Sequence, residues 1–485
     1  MTVEAPAGAM LIGGEWVTGA SGGRYDHVYA ATGRPNATIE MAGAAEIDRA
    51  VTAAWGAQRE WMAMTVDRRR DLLIDLADAV HDRADELTRA NVADYAVPIM
   101  FSPVHTSQLE RFLRYYAGFV DKANGQSTPV SMSNDVNLIE REPFGVVGII
   151  LTWNGPLFQI GTVGAPALAA GNAVILKAPE LAPLGPLLFG QICVEVGLPP
   201  GLVNVVPSGP EGGEALVRHP GVRKIHFTGG GGTARRITAA TAVNLTPLAT
   251  ELGGKSANLV FADCNLDAAA VTAAFAGPLA QSGQSCACGS RILVQDRVYD
   301  AFMEKFVALV QGASIGDPLD PTVMVGPVVS EAAADRIMGV IDAAIDEKMG
   351  ELVTGGRRLD GPLADGFYIA PTVFAGVDNH CALAEIETFG PVVSVMRFAD
   401  EDEAVRIAND TNFGLVAYVQ TSDLARGHRV ARRLEAGSVW VNAMGDIPPQ
   451  APYGGYKQSG VGRTGGIEGL HEFQQVKTIR IAMPG

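Results

Sequence analysis

Apolar positions recur at helical spacing near the start of the chain and form short runs further along. Residues 46–61 and 67–95 carry apolar side chains every three or four positions, which predicts two or three helices. From about residue 140, short apolar runs alternate with segments of helix length. These runs are 146–151, 173–177, 203–206 and 225–228. Strands that alternate with helices in this way predict a parallel α/β sheet.

A second series of short apolar runs and helical patterns follows Glu251. Its members are 258–261, 266–275, 291–294, 299–309 and 331–347. We therefore expect a second α/β unit and place the boundary between the two near Leu252. The uncharged segment 143–176 is long enough to span a bilayer. Because Pro156 and Pro166 interrupt it, we interpret it instead as two buried strands that flank a short helix.

Composition and charge narrow the class of protein. The chain has 485 residues, of which 47% are hydrophobic and 19% charged, which is typical of a folded protein of two or three domains. Its net charge of −16 would repel phosphate backbones and anionic lipids, so neither nucleic acid nor a membrane is an expected partner. Five irregularly spaced cysteines predict no disulfide framework and favour the cytoplasm, and no secretory signal is expected.

A cysteine in a loop rich in glycine and serine is the first candidate for chemistry. The segment 281–291 reads Gln-Ser-Gly-Gln-Ser-Cys-Ala-Cys-Gly-Ser-Arg and lies between a predicted helix and a predicted strand. A thiol nucleophile needs an accessible loop and a nearby base, because its ordinary pKa of about 8.5 leaves it mostly protonated at neutral pH. A small buried cysteine in a turn fits the same pattern. Cys286 and Cys288 have no partner pair at zinc-site spacing, so no metal site is predicted.

Four consecutive glycines follow the predicted strand 225–228 and precede a helix. Backbone amides in such a loop, together with the helix N-terminus, suit phosphate oxygens. Gly229, Gly231 and Ala234 fit the pattern G-x-G-x-x-A, and Glu251 lies about 20 residues further on, where dinucleotide-binding folds carry a ribose-binding acid. From this pattern alone, Glu251 is either a ribose ligand or a catalytic base.

Polar residues also follow two other predicted strands. Lys177 and Glu180 lie at the edge where open α/β sheets form their sites, and Lys177 suits a ribose or a phosphate. Asn154 could donate to a developing oxyanion. A surface lysine after a strand is the commoner interpretation of Lys177 on spacing alone, and an asparagine before a glycine is also an ordinary turn, so neither residue is decisive alone. The eight histidines form no H-x-x-x-H or Ser/His/Asp arrangement, so no histidine base is predicted.

The order of these motifs is more specific than any one of them. Thr152-Trp-Asn154 is followed by Lys177-Ala-Pro-Glu180, Phe227-Thr-Gly229, Glu251-Leu-Gly-Gly-Lys255, Gly283-Gln-Ser-Cys286 and Glu387-Thr-Phe-Gly-Pro391. In this order they resemble the NAD(P)-dependent aldehyde dehydrogenase superfamily. The resemblance covers nearly the whole chain, from Ile12-Gly-Gly-Glu-Trp16 to Tyr453-Gly-Gly-Tyr-Lys-Gln-Ser-Gly460.

The resemblance implies a role for each motif. Cys286 would be the nucleophile, Asn154 and the Cys286 backbone amide the oxyanion hole, and Glu251 the general base rather than a ribose ligand. The cofactor-binding set implied in the same way is Leu151, Thr152, Trp153, Lys177, Glu180, Gly209, Gly213, Phe227, Thr228, Gly229, Gly230, Leu252, Glu387 and Phe389. The expected cofactor is NAD, with NADP as the alternative, because Glu180 would repel a 2′-phosphate while Lys177 would partly neutralise it.

Four positions depart from the family pattern. The phosphate loop has Gly230 where serine is usual and Ala234 where glycine is usual, so the pyrophosphate contact would lose a hydroxyl donor. Gln281 replaces an asparagine, and Gly155 stands where a bulky residue is frequent. The positions that resemble the family's substrate tunnel are Gly155, Phe158, Gln159, Thr162, Ser285, Ala287, Ile447 and Tyr453. None is Arg or Lys, so we expect an uncharged, fairly apolar aldehyde unless Arg111 or Arg114 supplies a charge.

The resemblance also implies the domain arrangement. We expect an α/β fold with a Rossmann-like dinucleotide-binding domain at 1–120 and 142–252 and an α/β catalytic domain at 253–465. A β oligomerisation arm would combine 121–141 with 466–485. Such arms pair between subunits through strand edges, so a homodimer or homotetramer is expected.

The expected function is oxidation of an aldehyde to a carboxylic acid with NAD, through a cysteine thiohemiacetal and thioester. A CoA-acylating aldehyde dehydrogenase is one alternative, although a thiol acceptor would not need the base Glu251. A cofactor-independent cysteine hydrolase or esterase is another, and it would leave Lys177 and Glu387 without a task. A third alternative is a structural protein that kept the fold without the activity. It is not favoured, because every catalytic position here has the residue type that the family uses.

Overall fold

A computed structural model describes residues 8–122, 125–130 and 135–482 of the chain. Within these residues, helices pack against two large sheets, and a smaller sheet stands apart from both. The α-helices are Ala44–Ala63, Val66–Asp82, Ala84–Tyr95, Ser102–Ala117, Pro156–Gln159, Ala165–Ala169, Leu184–Glu195, Pro210–Arg218, Gly231–Thr241, Leu266–Ala274, Tyr299–Gln311, Glu331–Asp346, Ala382–Glu385, Glu401–Asn409, Leu424–Arg433 and Gly466–His471. The helical pattern at 67–95 forms two helices, because Arg83 has non-helical dihedral angles between them.

The first sheet has a parallel centre and antiparallel edges. In spatial order its strands are Glu15–Val17, Met10–Ile12, Val203–Val205, Ala173–Lys177, Val146–Ile150, Lys224–Gly229, Leu248–Leu252 and Gly460–Val461. The strands from Val203–Val205 to Leu248–Leu252 are parallel to one another. Their carboxyl ends therefore meet at one edge, where the segments 151–154, 177–180 and 228–230 leave the sheet.

The segment 143–176 confirms its sequence-based interpretation. Val146–Ile150 and Ala173–Lys177 are both fully buried strands, and helical turns connect them, with one π turn at Ile160–Gly164. Apolar residues on both faces suit strands that are covered on both sides. Among the residues that the structure describes, no helix is long and apolar enough to cross a membrane.

The second sheet follows directly in the sequence. Its strands, in spatial order, are Glu351–Thr354, Thr372–Ala375, Val392–Phe398, Arg291–Gln295, Ala257–Val260, Val416–Gln420 and Ser438–Val441. Neighbouring residues such as Ile292 and Leu293 belong to apolar clusters on opposite faces, as strand geometry requires. The loop that carries Cys286 precedes Arg291–Gln295, and Glu387 precedes Val392–Phe398. Both loops therefore approach the first sheet from the amino ends of their strands.

A small antiparallel sheet joins the C-terminal region to the middle of the chain. Gln474–Ile481 pairs along its whole length with Val136–Pro143, and Gln126–Ser127 pairs on the other side. Parts of the segments expected to form an arm, namely 123–124, 131–134 and 483–485, lie outside the described residues. Two further pairs of short strands are Arg24–Tyr29 with Arg34–Glu40 and Phe413–Gly414 with Tyr456–Lys457.

Candidate active site

The loop before Cys286 is held by an unusual backbone and by buried hydrogen bonds. Gln281, Ser282 and Gly283 have φ angles of 51°, 53° and 67°, in the left-handed region. A Cβ at Gly283 would lie 2.1 Å from a backbone oxygen, so this position requires glycine. The Gln284 side chain accepts a main-chain N–H at 2.9 Å and donates to the Gln281 carbonyl at 3.1 Å. These bonds fix the chain immediately before the thiol.

Glu251 and Tyr453 flank the thiol of Cys286. The sulfur Sγ lies 3.5 Å from Glu251 Oε1 and 3.9 Å from the Tyr453 hydroxyl. Burial raises the pKa of the Cys286 thiol well above its usual value, and the nearby Glu251 carboxylate raises it further. Burial also raises the pKa of Glu251 to about 7. A protonated thiol therefore faces a carboxyl group that titrates near neutrality, which is the arrangement that general-base activation of a thiol needs.

Asn154 faces the same loop from the first sheet. Its Nδ2 donates to the Gln284 carbonyl at 2.9 Å, and its Oδ1 accepts the Thr152 hydroxyl at 3.0 Å. The bond from Thr152 fixes the orientation of the amide, so the NH2 group faces the Cys286 loop. An amide NH2 has two N–H donors, and the second suits an oxyanion that forms at Cys286.

A cavity of about 660 Å³ opens at the carboxyl edge of the first sheet. The predicted cofactor residues that line it are Leu151, Thr152, Trp153, Lys177, Glu180, Gly209, Gly213, Phe227, Thr228, Gly229 and Gly230. Gly231–Thr241 begins at this cavity, and the first N–H groups of a helix have no acceptor within the helix. A Cβ at Gly209, Gly213 or Gly230 would meet no atom within 4 Å, so the wall is open there. The cavity thus offers the space and the donors that a dinucleotide needs.

Lys177 and Glu180 form an ion pair at the wall of this cavity. Lys177 Nζ donates to Glu180 Oε2 at 3.3 Å. Burial lowers the pKa of Lys177, and the carboxylate of Glu180 opposes that change. The pair presents one donor and one acceptor to the cavity, and the two hydroxyl groups of a ribose can bond both.

The remaining predicted cofactor residues lie closer to the thiol. Glu387 Oε1 accepts the backbone N–H of Gly254 at 3.1 Å, and burial raises the pKa of Glu387. Phe389 lies edge-on against Trp153, with ring centroids 5.4 Å apart. Leu252 follows Glu251 at the end of its strand. Because Trp153 also lines the cavity, these residues connect it with Cys286.

Nearly the whole chain matches one family of proteins. The model of the aldehyde dehydrogenase family matches residues 16–479. The chain belongs to the aldehyde dehydrogenase family. It is therefore an oxidoreductase with the fold that the order of its motifs predicts.

Several solved structures superimpose closely on this chain. One, described as a putative aldehyde dehydrogenase from Burkholderia cenocepacia, has 40% identity and a TM-score of 0.95, and the match covers 98% of this chain and 97% of that one. PnpE from Pseudomonas sp. WBC-3 has 38% identity, a TM-score of 0.95 and the same coverage. A point mutant of betaine aldehyde dehydrogenase from Staphylococcus aureus, solved with NAD+, has 34% identity, a TM-score of 0.95 and again the same coverage.

Gln159 of this aldehyde dehydrogenase, one of the positions expected in the substrate tunnel, is buried and hydrogen-bonded to two strand ends. The residue is 3% exposed. Its amide bonds the Thr152 N–H and the Thr228 hydroxyl, each at 2.7 Å. Tertiary packing brings the polar groups of those strand ends together, and the Gln159 amide forms hydrogen bonds with them.

His105 is a site residue that sequence reasoning missed. Its Nε2 lies 2.9 Å from the Gln281 side-chain nitrogen, and its Nδ1 lies 2.6 Å from the Tyr95 hydroxyl. Burial lowers the pKa of His105 to about 4, so the ring is neutral near pH 7 and accepts from Gln281. His105 and Gln281 are far apart in the sequence, and no local pattern connects them.

Cys288 stands apart from the reactive thiol. It is buried, and its Sγ contacts the Gly277 carbonyl at 3.4 Å. Across residues 8–122, 125–130 and 135–482, no group of three or more His, Cys, Asp or Glu is arranged to hold a metal ion.

Proposed function

We propose that this enzyme oxidises an aldehyde to a carboxylic acid with NAD, through a thiohemiacetal and a thioester on Cys286. The observation that carries the proposal is the contact between Cys286 Sγ and Glu251 Oε1 beside the dinucleotide-sized cavity. Two similar proteins, PnpE and betaine aldehyde dehydrogenase, have been solved with NAD. These relatives support NAD as the cofactor here.

The first half-reaction begins with the thiol. Glu251 accepts the proton of Cys286, and the thiolate adds to the aldehyde carbon. The carbonyl oxygen becomes an oxyanion, which the Asn154 amide and the Cys286 backbone N–H would stabilise. NAD, when bound, supplies the acceptor for the hydride that leaves this carbon. Glu387 and Phe389 would hold the nicotinamide end of the cofactor, and a thioester remains on the sulfur.

The second half-reaction releases the acid. Glu251 first releases to solvent the proton that it took from Cys286. Water attacks a thioester slowly unless a base removes its proton, and the ionised Glu251 is placed to do so and to pass that proton to the leaving sulfur. The thioester carbon becomes tetrahedral again, the same oxyanion hole stabilises it, and the C–S bond breaks. The product is a carboxylic acid, and the Cys286 thiol is regenerated. A thiol acceptor such as CoA would not need this base, so the buried carboxyl group favours water.

The substrate we propose is an uncharged, fairly apolar aldehyde. Cys286 packs against an apolar cluster whose other members include Ala276, Ala287, Tyr418, Trp440, Ile447 and Tyr453. Arg111 lies 4.0 Å from Asp446, and Arg114 lies 2.7 Å from Asp78. Each of these two arginines thus already has a carboxylate neighbour. An aromatic or medium-length aliphatic aldehyde would bury apolar area here without leaving an unpaired charge.

The assembly and location form part of the same proposal. Gln474–Ile481 is an edge strand of the small sheet, and its Val476 side chain is 60% exposed. An exposed edge of this length can pair with a second chain, which supports a homodimer or homotetramer. The domains would be 1–120 with 142–252, 253–465, and an arm of 121–141 with 466–485. A cytoplasmic location would keep the nucleophilic thiol reduced.

Absorbance of reduced nicotinamide tests the reaction class. A panel of aldehydes is incubated with NAD, with NADP, and with NAD plus CoA, and the product is identified. We expect turnover with NAD alone and a free carboxylic acid. An absolute requirement for CoA would establish the acylating alternative. Ester hydrolysis at full rate in the absence of aldehyde oxidation would establish the hydrolase.

A further inference from the structure

Gln159 is a buried glutamine whose hydrogen bonds reach both sides of the catalytic centre. Its Oε1 accepts the Thr152 N–H at 2.7 Å. Its Nε2 donates to the Thr228 hydroxyl at 2.7 Å and to the Ile150 carbonyl at 3.3 Å. Thr152 follows the strand Val146–Ile150, and Thr228 lies near the carboxyl end of the neighbouring parallel strand Lys224–Gly229, so this amide bridges two adjacent strand ends of the first sheet.

The backbone determines which way the Gln159 amide points. A backbone N–H can only donate, so the atom that faces Thr152 must be the oxygen. The NH2 group then faces Thr228, whose oxygen accepts from it. The hydroxyl proton of Thr228 is left to be donated elsewhere, and the acceptor beside it is the Glu251 carboxyl group. Thr228 and Glu251 are directly paired across adjacent strands. The direction of this chain of bonds is therefore set from Gln159 towards the base.

The other side of Gln159 leads to the oxyanion donor. The hydroxyl of Thr152, whose main-chain N–H is held by Gln159, donates to Asn154 Oδ1 at 3.0 Å. Because that oxygen is occupied, the Asn154 NH2 group faces the Gln284 carbonyl and the thiol loop. One buried amide thus stands at the origin of two chains of hydrogen bonds, one to the base and one to the oxyanion donor.

We propose that Gln159 is a positioning residue that holds Thr228 as a donor to Glu251 and holds Thr152 as a donor to Asn154, so that one side chain orients both catalytic groups. This inference rests on the proposed function, because it assigns Glu251 as the base. The side-chain hydrogen bonds of Gln159 go to Thr152, Thr228 and Ile150 and not to the thiol. Its effect is to fix which atoms the catalytic side chains present.

The two chains of hydrogen bonds predict separate effects on the pKa of Glu251 and on the oxyanion hole. The titratable groups that face Glu251 are Cys286, Tyr453 and Glu387. Against burial and the charge of Glu387, the Thr228 hydroxyl favours the ionised carboxylate and lowers its pKa. Loss of that donor should therefore raise the pKa of Glu251. Loss of the Thr152 hydroxyl should leave this pKa in place and weaken the oxyanion hole instead.

Three variants dissect the network. Gln159→Met keeps the length of the side chain and removes both chains of bonds, while Thr228→Val and Thr152→Val remove one each. The burst of reduced NAD reports addition and oxidation. The rate of acyl-enzyme hydrolysis is measured by acid quenching at a series of pH values from about 5.5 to 9. The acid limb of this profile, where the rate falls as the pH is lowered, reports the pKa of the base.

We expect a specific pattern among these variants. Thr228→Val should move the acid limb of hydrolysis up by about one pH unit, as loss of a hydrogen bond to a charged group implies. Thr152→Val should slow the burst, measured near pH 9 where Glu251 is ionised in every variant, about tenfold or more without moving that limb. Gln159→Met should do both, and Thr228→Ser should keep the acid limb of the wild type.

The control is Gln58→Met, a second buried glutamine, which bonds only the Gly171 carbonyl among its described contacts. It should lower thermal stability without moving the limb or the burst. If Gln159→Met changes stability alone, as this control does, the inference is wrong. Should that variant fail to fold, the two threonine variants decide: equal effects on both readouts overturn the inference. Glu251→Gln, measured alongside, keeps the proposed function distinct, because a hydrolysis rate and limb unchanged in that variant would refute the base itself.

Discussion

Cys286 and Glu251 meet across the two sheets, with the sulfur 3.5 Å from the carboxylate oxygen. Glu251 lies near the carboxyl end of a strand in the first sheet, whereas Cys286 precedes a strand of the second sheet. The reactive pair exists only when both sheets are packed together. This places proton transfer in a buried space beside the cofactor cavity, where a single carboxyl group can serve the thiol first and water later.

Substitution of the nucleophile should separate chemistry from binding. Cys286→Ala should abolish aldehyde oxidation, because no other described thiol lies beside Glu251, and should leave NAD affinity within about threefold. Turnover and dinucleotide binding are measured on the same preparation. Cys288→Ala is the matched control, since its sulfur contacts a backbone carbonyl away from the base, and it should stay active. Aldehyde oxidation by the Cys286→Ala variant would refute the mechanism.

The pH dependence of deacylation should report Glu251. Burial raises the pKa of this group to about 7, and only its ionised form is a base. Hydrolysis of the acyl-enzyme should therefore rise with pH through about 7 and fall about tenfold for each unit below it. Single-turnover rates across pH measure this directly. A limb near the ordinary carboxyl value of about 4.3 would show that the carboxylate is solvated during turnover.

Removal of the Glu180 charge should relax cofactor choice. Glu180 lines the cavity with Arg218 and Arg236, so loss of its carboxylate leaves cations near any 2′-phosphate. Glu180→Gln should raise the kcat/KM ratio of NADP to NAD about tenfold, mainly through KM. Glu195→Gln removes an exposed acid that pairs with Arg83 and should leave the ratio unchanged. A wild-type preference for NADP would contradict this assignment.

Gly283 should be intolerant of any side chain. Its φ angle is 67°, and a Cβ there would lie 2.1 Å from the Gly390 oxygen. Gly283→Ala should lower the free energy of unfolding by about 3 kcal/mol and displace the thiol loop. Gly339→Ala is the control, because a Cβ at that helical position meets nothing within 4 Å and should stabilise by up to about 1 kcal/mol. Denaturant midpoints and burst amplitudes of both variants check this.

Substrate preference should follow the apolar surroundings of the thiol. A series of hexanal, benzaldehyde and succinic semialdehyde at one pH and salt concentration compares chain, ring and carboxylate. We expect kcat/KM for the first two to exceed that for the semialdehyde at least tenfold, since Arg111 and Arg114 are already paired with carboxylates. A clear lead for succinic semialdehyde would show that one of these cations turns towards the substrate.

Local sequence patterns predict a large part of this fold. The strands Ala173–Lys177 and Val146–Ile150 follow from uninterrupted apolar runs, and the helix between them follows from Pro156 and helix-length spacing. Hydrophobic periodicity and the positions of proline and glycine are local properties of the sequence, and they do not depend on how the chain packs. The order of the motifs likewise identifies Cys286 as the nucleophile and Glu251 as its base, through the resemblance to the family.

Other features of the site have no local signal. The sequence places Gln159 among the expected tunnel positions, and only the packing of adjacent strand ends shows that its amide bonds Thr152 and Thr228. His105 bonds Gln281, far away in the sequence, because the helix Ser102–Ala117 lies against the thiol loop. Such bonds depend on distances that only the packed chain defines.

The sequence by itself determined the alternation of strands and helices, the family and the residue types that carry the chemistry. Only the tertiary structure decided how those residues behave. The pKa of Glu251 lies near 7 because two sheets exclude water from it, and the thiol pKa rises for the same reason. Desolvation is a property of the space around a group, and that space is built by segments distant in the chain. Local sequence motifs therefore supply the catalytic residue types, while packing sets the protonation states and orientations of those residues.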